Sequence, residues 1–200
     1  MQAIAIVGTG NGSGKSLVAA AICRLLKRRG LRALPFAADA APLSVYTTET
    51  GAEIAYAQAL QAWAAGIKPR PELNPVIRQQ DSESEGEEIT IAGETLRPEI
   101  LAENPDRVFQ QAEIAISAAL AQLETEADVL VCDGKGSVGD RPLWPWELNN
   151  FQVITQVGAK ALLVVDADRG GWLTQIVGTL TVLEPTEREA LVAIALNRFR

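Results

Sequence analysis

Gly8-Thr9-Gly10-Asn11-Gly12-Ser13-Gly14-Lys15-Ser16 is the stretch on which the reading of this chain turns. Ahead of it, Ala3 to Val7 is continuously apolar; behind it, Leu17 to Leu26 repeats apolar side chains at helical spacing through Leu17, Ala20, Ala21 and Leu25. Strand, glycine-rich loop and helix in that order make a phosphate-binding loop. Glycines let backbone N–H groups turn inward on phosphate oxygens, and the helix N-terminus adds its partial positive charge. Lys15 is placed to reach the terminal phosphates and Ser16 to ligate Mg2+. The candidate nucleotide-binding residues are therefore Gly8, Thr9, Gly10, Asn11, Gly12, Ser13, Gly14, Lys15, Ser16 and Leu17. The competing reading is a glycine-rich turn that happens to precede a lysine. Counted back from Lys15, the general pattern G-x-x-x-x-G-K-S/T puts its first glycine on Thr9, so the loop belongs to a variant of that motif.

Working outward, Lys27-Arg28-Arg29-Gly30 closes the first helix with basic residues against its negative end and a glycine at the exit. Leu31 to Phe36 predicts a second strand, Glu53 to Ala65 a short alanine-rich helix, and Glu88 to Leu96 a small hairpin around Gly93. Asp81 to Glu88 is an acidic, polar surface loop. Asn104-Pro105 predicts a cap and a first-turn proline for a long helix through Phe109, Ala112, Ile116, Ala119 and Leu123. Val129 to Cys132, Ala161 to Val165 and Leu191 to Leu196 are short apolar runs that predict strands buried on both faces. Apolar strands alternating with helices give an α/β fold: a doubly wound, mostly parallel sheet with helices on both faces and its ligand at the carboxyl ends of the strands. No linker or repeat interrupts residues 1–200, so one domain is expected.

Composition narrows the function. A net charge of -7 argues against nucleic-acid backbones and anionic lipid as partners, because both need clustered Lys and Arg. No apolar stretch approaches the roughly 20 residues that cross a bilayer. Without a recognisable signal peptide, the expected location is cytoplasmic. The chain holds no histidine, which removes Ser-His and Cys-His nucleophilic systems. Cys23 and Cys132 sit in apolar contexts and predict buried, unpaired thiols.

Two strand ends carry acids, Asp133 and Asp166, the latter followed by Ala-Asp168-Arg169-Gly170-Gly171; one of the two is expected to hold Mg2+ and the other to start a turn. Tyr46-Thr47-Thr48 with Glu49-Thr50-Gly51 reads as a substrate-facing or merely solvated loop, and Trp144-Pro145-Trp146 as a ligand-stacking or core-packing element.

Taken together, these segments resemble the cobyric acid synthase family, whose synthetase domain groups with dethiobiotin synthetase and related P-loop proteins. That group's loop reads approximately G-T-x-S/T-x-x-G-K-S/T, in register with Gly8, Thr9, Gly14, Lys15 and Ser16, so Thr9 is the expected residue. Gly51-Ala-Glu-Ile54, Ala57-Gln58-Ala59, Gln61-Ala62, Asn74-Pro75-Val76, Asp166-Ala-Asp168-Arg169-Gly170-Gly171 and Asn197-Arg-Phe-Arg200 match in order. The resemblance implies ATP and Mg2+ as cofactors, phosphoryl activation of a carboxylate, and displacement of phosphate by ammonia to give an amide. It carries over Lys15 with its phosphate role, Ser16 as a metal ligand and Asn197 against the adenine edge; Asp133 is a candidate for catalysis and metal, and Lys135 (catalysis) and Asp39 (metal) are candidates at positions where this chain departs from the family. A corrinoid or other carboxylate is the implied substrate, with a separate glutaminase subunit or free ammonia as nitrogen source and a homodimer as a candidate state.

The departures are local. Where the family reads Pro-Phe-Lys-Ala-Gln-Asn-Met-Ser, this chain has Pro35-Phe36-Ala37-Ala38-Asp39-Ala40-Ala41-Pro42; its Glu-Gly-Ala-Gly-Ser is Asp133-Gly134-Lys135-Gly136-Ser137. Trp144-Pro145-Trp146 stands in place of an Asp-Arg-Asp run, and the glutaminase half does not precede Arg200. Lys135 is the candidate replacement for the lysine absent at Ala37. The rival expectation is a nucleotide-dependent switch or binding protein built on the same loop.

Overall fold

The computed structural model describes residues 1–80, 87–96, 98–140 and 150–200. Their order is β1 (Gln2–Gly8), α1 (Lys15–Arg28), β2 (Ala33–Phe36), β3 (Asp39–Ala40), β4 (Val45–Thr47), β5 (Glu53–Ala55), α2 (Tyr56–Ala65), β6 (Val76–Gln80), β7 (Glu87–Ile91) and β8 (Glu94–Leu96). There follow α3 (Pro98–Glu103), α4 (Pro105–Glu126), β9 (Val129–Asp133), α5 (Asn150–Gln156), β10 (Lys160–Asp166), α6 (Trp172–Val182), α7 (Pro185–Ala190) and β11 (Leu191–Asn197). None of the described helices is long and apolar enough to cross a membrane.

Five strands form one sheet in the order β11-β10-β1-β9-β2, and every pair in it is parallel. The apolar runs explain the two layers. Alternate residues of a strand face opposite sides, so Ile6, Val129, Val131 and Val164 pack under α1 with Ala19 and Cys23. Their neighbours Ala5, Val7, Leu130, Cys132, Leu163 and Val165 meet α4 through Ala112, Ile116, Ala119 and Leu123 on the other side. Each fully buried Ile, Leu or Val contributes on the order of 1.5–3 kcal/mol. The expected parallel sheet with a helix layer on each face is thus what forms.

Differences from the sequence reading have local causes. The predicted helix from Glu53 begins only at Tyr56, because Glu53–Ala55 pairs antiparallel with Val45–Thr47. Asn104 precedes α4 without a side-chain cap, and the buried stripe of α4 opens at Val108 rather than Phe109. The hairpin around Gly93 belongs to a further sheet, β3-β6-β7-β8, in which β3 and β6 are parallel and the other pairs antiparallel. Its short parallel pair joins residues far apart in sequence, which no local pattern announces. The largest correction concerns β11, expected to be buried. It is an edge strand, with Val192 60% and Ile194 45% exposed, since no described element covers its outer side.

Where β2 and β9 begin, Arg32 and Asp128 lock the sheet. The Arg32 amide and guanidinium both donate to the Asp128 carboxylate, at 2.8 and 2.7 Å. These bonds hold the Asp128 carboxyl down to about 2. A depressed carboxyl stabilises the fold above its unfolded value of about 4, and that contribution disappears as pH falls through about 2. The urea midpoint of Asp128→Asn is therefore expected to lie below wild type at pH 6, with the gap closing by pH 2.

Candidate functional site

The glycine-rich loop hangs between three strand ends. Thr9 N donates to Val164 O, Gly134 N to Ile6 O and Val138 N to Gly8 O, at 3.2, 2.9 and 2.8 Å, so the loop is tied to β10 on one side and to the chain after β9 on the other. Gly14 begins α1 at φ 98°, a left-handed conformation that glycine adopts without steric cost. A Cβ there would also run into Asn197 Nδ2.

Lys15 folds back into this cradle, where its Nζ donates to Gly10 O at 3.0 Å and Gly136 O at 2.8 Å. Burial lowers its pKa, and Asp133 opposes that shift. Asp133 lies at the end of β9. Burial raises its pKa, while the Ser16 hydroxyl, Gln61 and Lys15 act in the other direction. Gln61 Nε2 donates to Asp133 Oδ2 at 2.7 Å, whereas Oδ1 is buried and has no hydrogen-bond partner. An orphaned anionic oxygen beside a serine hydroxyl is a donor set suited to a hard divalent cation. No group of three or more metal-binding side chains occurs among the described residues, so any such ion would draw its remaining ligands from water and phosphate.

Past the loop opens a cavity of about 750 Å³. Asn11, Gly12, Lys15 and Ser16 of the loop line it together with Ala37, Asp39, Ala40, Gln58, Lys135 and Ser137. Asp39 is almost wholly enclosed, its side chain 3% exposed, and its Oδ2 lies 3.1 Å from both Lys135 Nζ and Arg78 Nε. Two cations thus share Asp39 Oδ2, while its Oδ1, like that of Asp133, is buried without a hydrogen-bond partner. Lys135, the candidate replacement for the lysine absent at Ala37, is among the residues that line this cavity.

Asp166 has a different occupation. Its carboxylate accepts hydrogen bonds from Asp168 N at 3.1 Å and Arg198 Nη1 at 2.6 Å, and pairs with Arg169 Nε at 3.1 Å. Of the two strand-end acids, it is the one that organises a turn. Asn197 donates from Nδ2 to Ser13 O at 2.9 Å, bracing the loop from β11. Thr48 closes its own turn through Ala52 O and Thr50, and lies outside the cavity walls. Trp144-Pro145-Trp146 and residues 81–86 of the acidic loop lie outside the described residues.

Gln58, Gln61 and Asn74 enter the sequence analysis as family matches with no site role assigned. Gln58 and Gln61 are fully buried one turn apart on α2, and two glutamines on the inner face of an alanine-rich helix were the available signal. Asn74 accepts from Ala55 N at 3.0 Å and donates to Ala37 O at 2.9 Å and Val76 O at 3.0 Å, fixing the wall that carries Ala37. Leaving such buried groups unpaired costs about 1–3 kcal/mol each. Asn74→Ala is expected to lower unfolding free energy by about 3 kcal/mol in urea titrations.

Fold and site together define a P-loop nucleotide-binding domain of the doubly wound α/β class. Residues 4–200 match the CobQ/CobB/MinD/ParA nucleotide binding domain, and the chain belongs to that family. It is 42% identical to cobyric acid synthase of Trichormus variabilis and 41% identical to that of Thermosynechococcus vestitus, in each case over the whole chain. The chain spans 40% of the length of these relatives. Among solved structures, cobyrinic acid a,c-diamide synthase from Mycobacterium smegmatis with bound ADP and magnesium is 18% identical, with 97% of this chain and 72% of that one covered at a TM-score of 0.43. The signal recognition particle receptor FtsY from Elizabethkingia anophelis is also 18% identical, with 98% and 49% covered at 0.45. The resemblance drawn from the loop and the Asp-x-Asp-Arg-Gly-Gly stretch is thus borne out at the level of the family.

Proposed function

We propose that this domain uses ATP and Mg2+ to activate a substrate carboxylate for amidation. The observation that supports the reading is one cavity lined both by Lys15, Ser16 and Asp133 at the phosphate loop and by Lys135. Such chemistry asks for positioning and charge neutralisation rather than covalent help from the protein. A carboxylate oxygen of the acceptor attacks the γ-phosphorus, the bond to the ADP oxygen breaks, and an acyl phosphate forms. Ammonia then attacks the acyl carbon, phosphate departs with the bonding pair, and the nitrogen loses a proton to give the amide.

In this scheme the backbone N–H groups from Gly8 to Leu17 hold the phosphates and Lys15 offsets charge on the terminal one. Ser16 and Asp133 would hold Mg2+, which when bound neutralises phosphate charge. Lys135 orients the acceptor carboxylate, kept in place by Asp39, itself shared with Arg78. Asn197, whose amide nitrogen holds Ser13 O, is the residue assigned to the adenine edge. The relatives' name makes a corrinoid carboxylate the first acceptor to try. Free ammonia or a separate glutaminase subunit supplies nitrogen, in a cytoplasmic setting. A homodimer is the candidate state of assembly.

A second reading has its own support. Ala37, Ala40, Ala41 and Pro42 themselves bring no side-chain donor to the cavity they line. On that ground the domain serves as a nucleotide-dependent switch that binds ATP without transferring phosphate to a carboxylate. Incubation with ATP, Mg2+, ammonium and cobyrinic acid diamide separates the two. ADP and amide formed in equal amounts support amidation; ADP without amide, or bound ATP left intact, supports the switch.

A further inference from the structure

On the side of the loop away from Asp133, β10 ends in Asp166, whose side chain is only 3% exposed. Both neighbouring arginines converge on its Oδ2: Arg198 Nη1 at 2.6 Å and Arg169 Nε at 3.1 Å. Arg198 reaches it from a backbone φ of 56°, in the left-handed region that a residue with a side chain rarely adopts. One carboxylate against two guanidiniums leaves a positive charge in excess. Asp168 does not cancel it, since it faces outward toward Arg200 at 3.7 Å.

Arg169 is directed by this anchor. With Nε on Asp166, the far end of the guanidinium lies against the loop, and a Cβ placed on Gly12 would stand 2.8 Å from Nη2. Gly12 lines the large cavity, and Lys15 rests its ammonium on Gly10, so both cations lie against the same glycine-rich loop. The Arg169 side chain is 61% exposed, which leaves its outer nitrogens accessible to a ligand. A planar guanidinium fixed through Nε presents its remaining N–H groups as a fork suited to phosphate oxygens.

We propose that Arg169 is a second phosphate-binding cation of this site, contacting the terminal phosphate of a nucleoside triphosphate, with Asp166 as its positioning residue. The proposal rests on reading the loop as an ATP site, and adds discrimination between triphosphate and diphosphate. A strut that merely shapes the loop would affect every nucleotide alike, whereas a terminal-phosphate contact favours ATP over ADP.

The test is calorimetric titration of ATP and ADP, each with Mg2+, into wild type, Arg169→Ala, Arg169→Lys and Asp166→Asn, with thermal unfolding run on each. Arg169→Ala is expected to weaken ATP about tenfold and ADP less than about twofold, and Arg169→Lys to recover part of the loss. Asp166→Asn shifts the ATP:ADP ratio in the same direction. Equal weakening of both nucleotides, or none, overturns the proposal. Because Arg169 is exposed, its variants keep the wild-type unfolding midpoint and remain decisive if Asp166→Asn fails to fold. Wild-type protein that binds neither nucleotide overturns the reading of the loop as well; wild type that binds ATP irrespective of Arg169 overturns this proposal alone.

Discussion

Lys15→Ala is expected to weaken the binding of ATP with Mg2+ by about a hundredfold, close to 2.7 kcal/mol, the scale on which a buried charge partner is lost. The size follows from where the ammonium sits. It is largely enclosed, held by two backbone carbonyls, and burial already pushes its pKa down, so the loop bears an electrostatic cost that an anion relieves. Removing the ammonium leaves the carbonyls of Gly10 and Gly136 without that donor but also takes away a poorly solvated charge. These effects oppose each other, and the apo protein is expected to keep its unfolding midpoint to within about 5 °C. Calorimetry with and without the substitution provides the check. Unchanged affinity in the variant would contradict the phosphate role of the loop.

Lys135→Ala is expected to act on the acceptor rather than on the nucleotide. Loss of one preorganised cation from acyl or phosphoryl chemistry commonly costs on the order of hundreds-fold in rate. Amide formation in single turnover should fall by that factor, while ATP affinity changes less than about threefold, because the phosphates are held by the loop. Asp39 is not stranded by the change, since Arg78 still lies 3.1 Å from its Oδ2. The fold is therefore expected to tolerate it, and Lys135→Arg should restore part of the rate. A parallel fall in ATP binding would instead place Lys135 among the nucleotide contacts and remove it from acceptor recognition.

Much of the architecture was written in short-range patterns. Ala3–Val7, the nine residues Gly8 to Ser16 and the helical spacing after them specify β1, the loop and α1 with no knowledge of the remainder. Each signal lies within about one or two turns of chain, the range over which strand alternation and helix periodicity operate. The apolar runs at Val129 and Ala161 likewise identified interior strands, because burial on both faces leaves room for no polar residue. The run at Leu191 carried the same signature and proved to be an edge strand, since composition reports how apolar a strand is and not how many neighbours it has.

By itself, then, the sequence determined a parallel α/β domain with a phosphate loop, the position of Lys15 and Ser16 within it, and membership of a family through residues that keep their order along the chain. Tertiary structure alone decided the partners of the charges. Gln61 reaches Asp133 across 72 residues and Lys135 reaches Asp39 across 96. Asn197 reaches Ser13 across 184. Both strand-end aspartates look alike in one dimension, yet one is left with an unpaired oxygen beside Ser16 and the other is enclosed by two arginines. The physical reason is that local periodicity selects helix and strand, whereas the use of a buried charge depends on which distant groups the folded chain brings within about 3 Å of it.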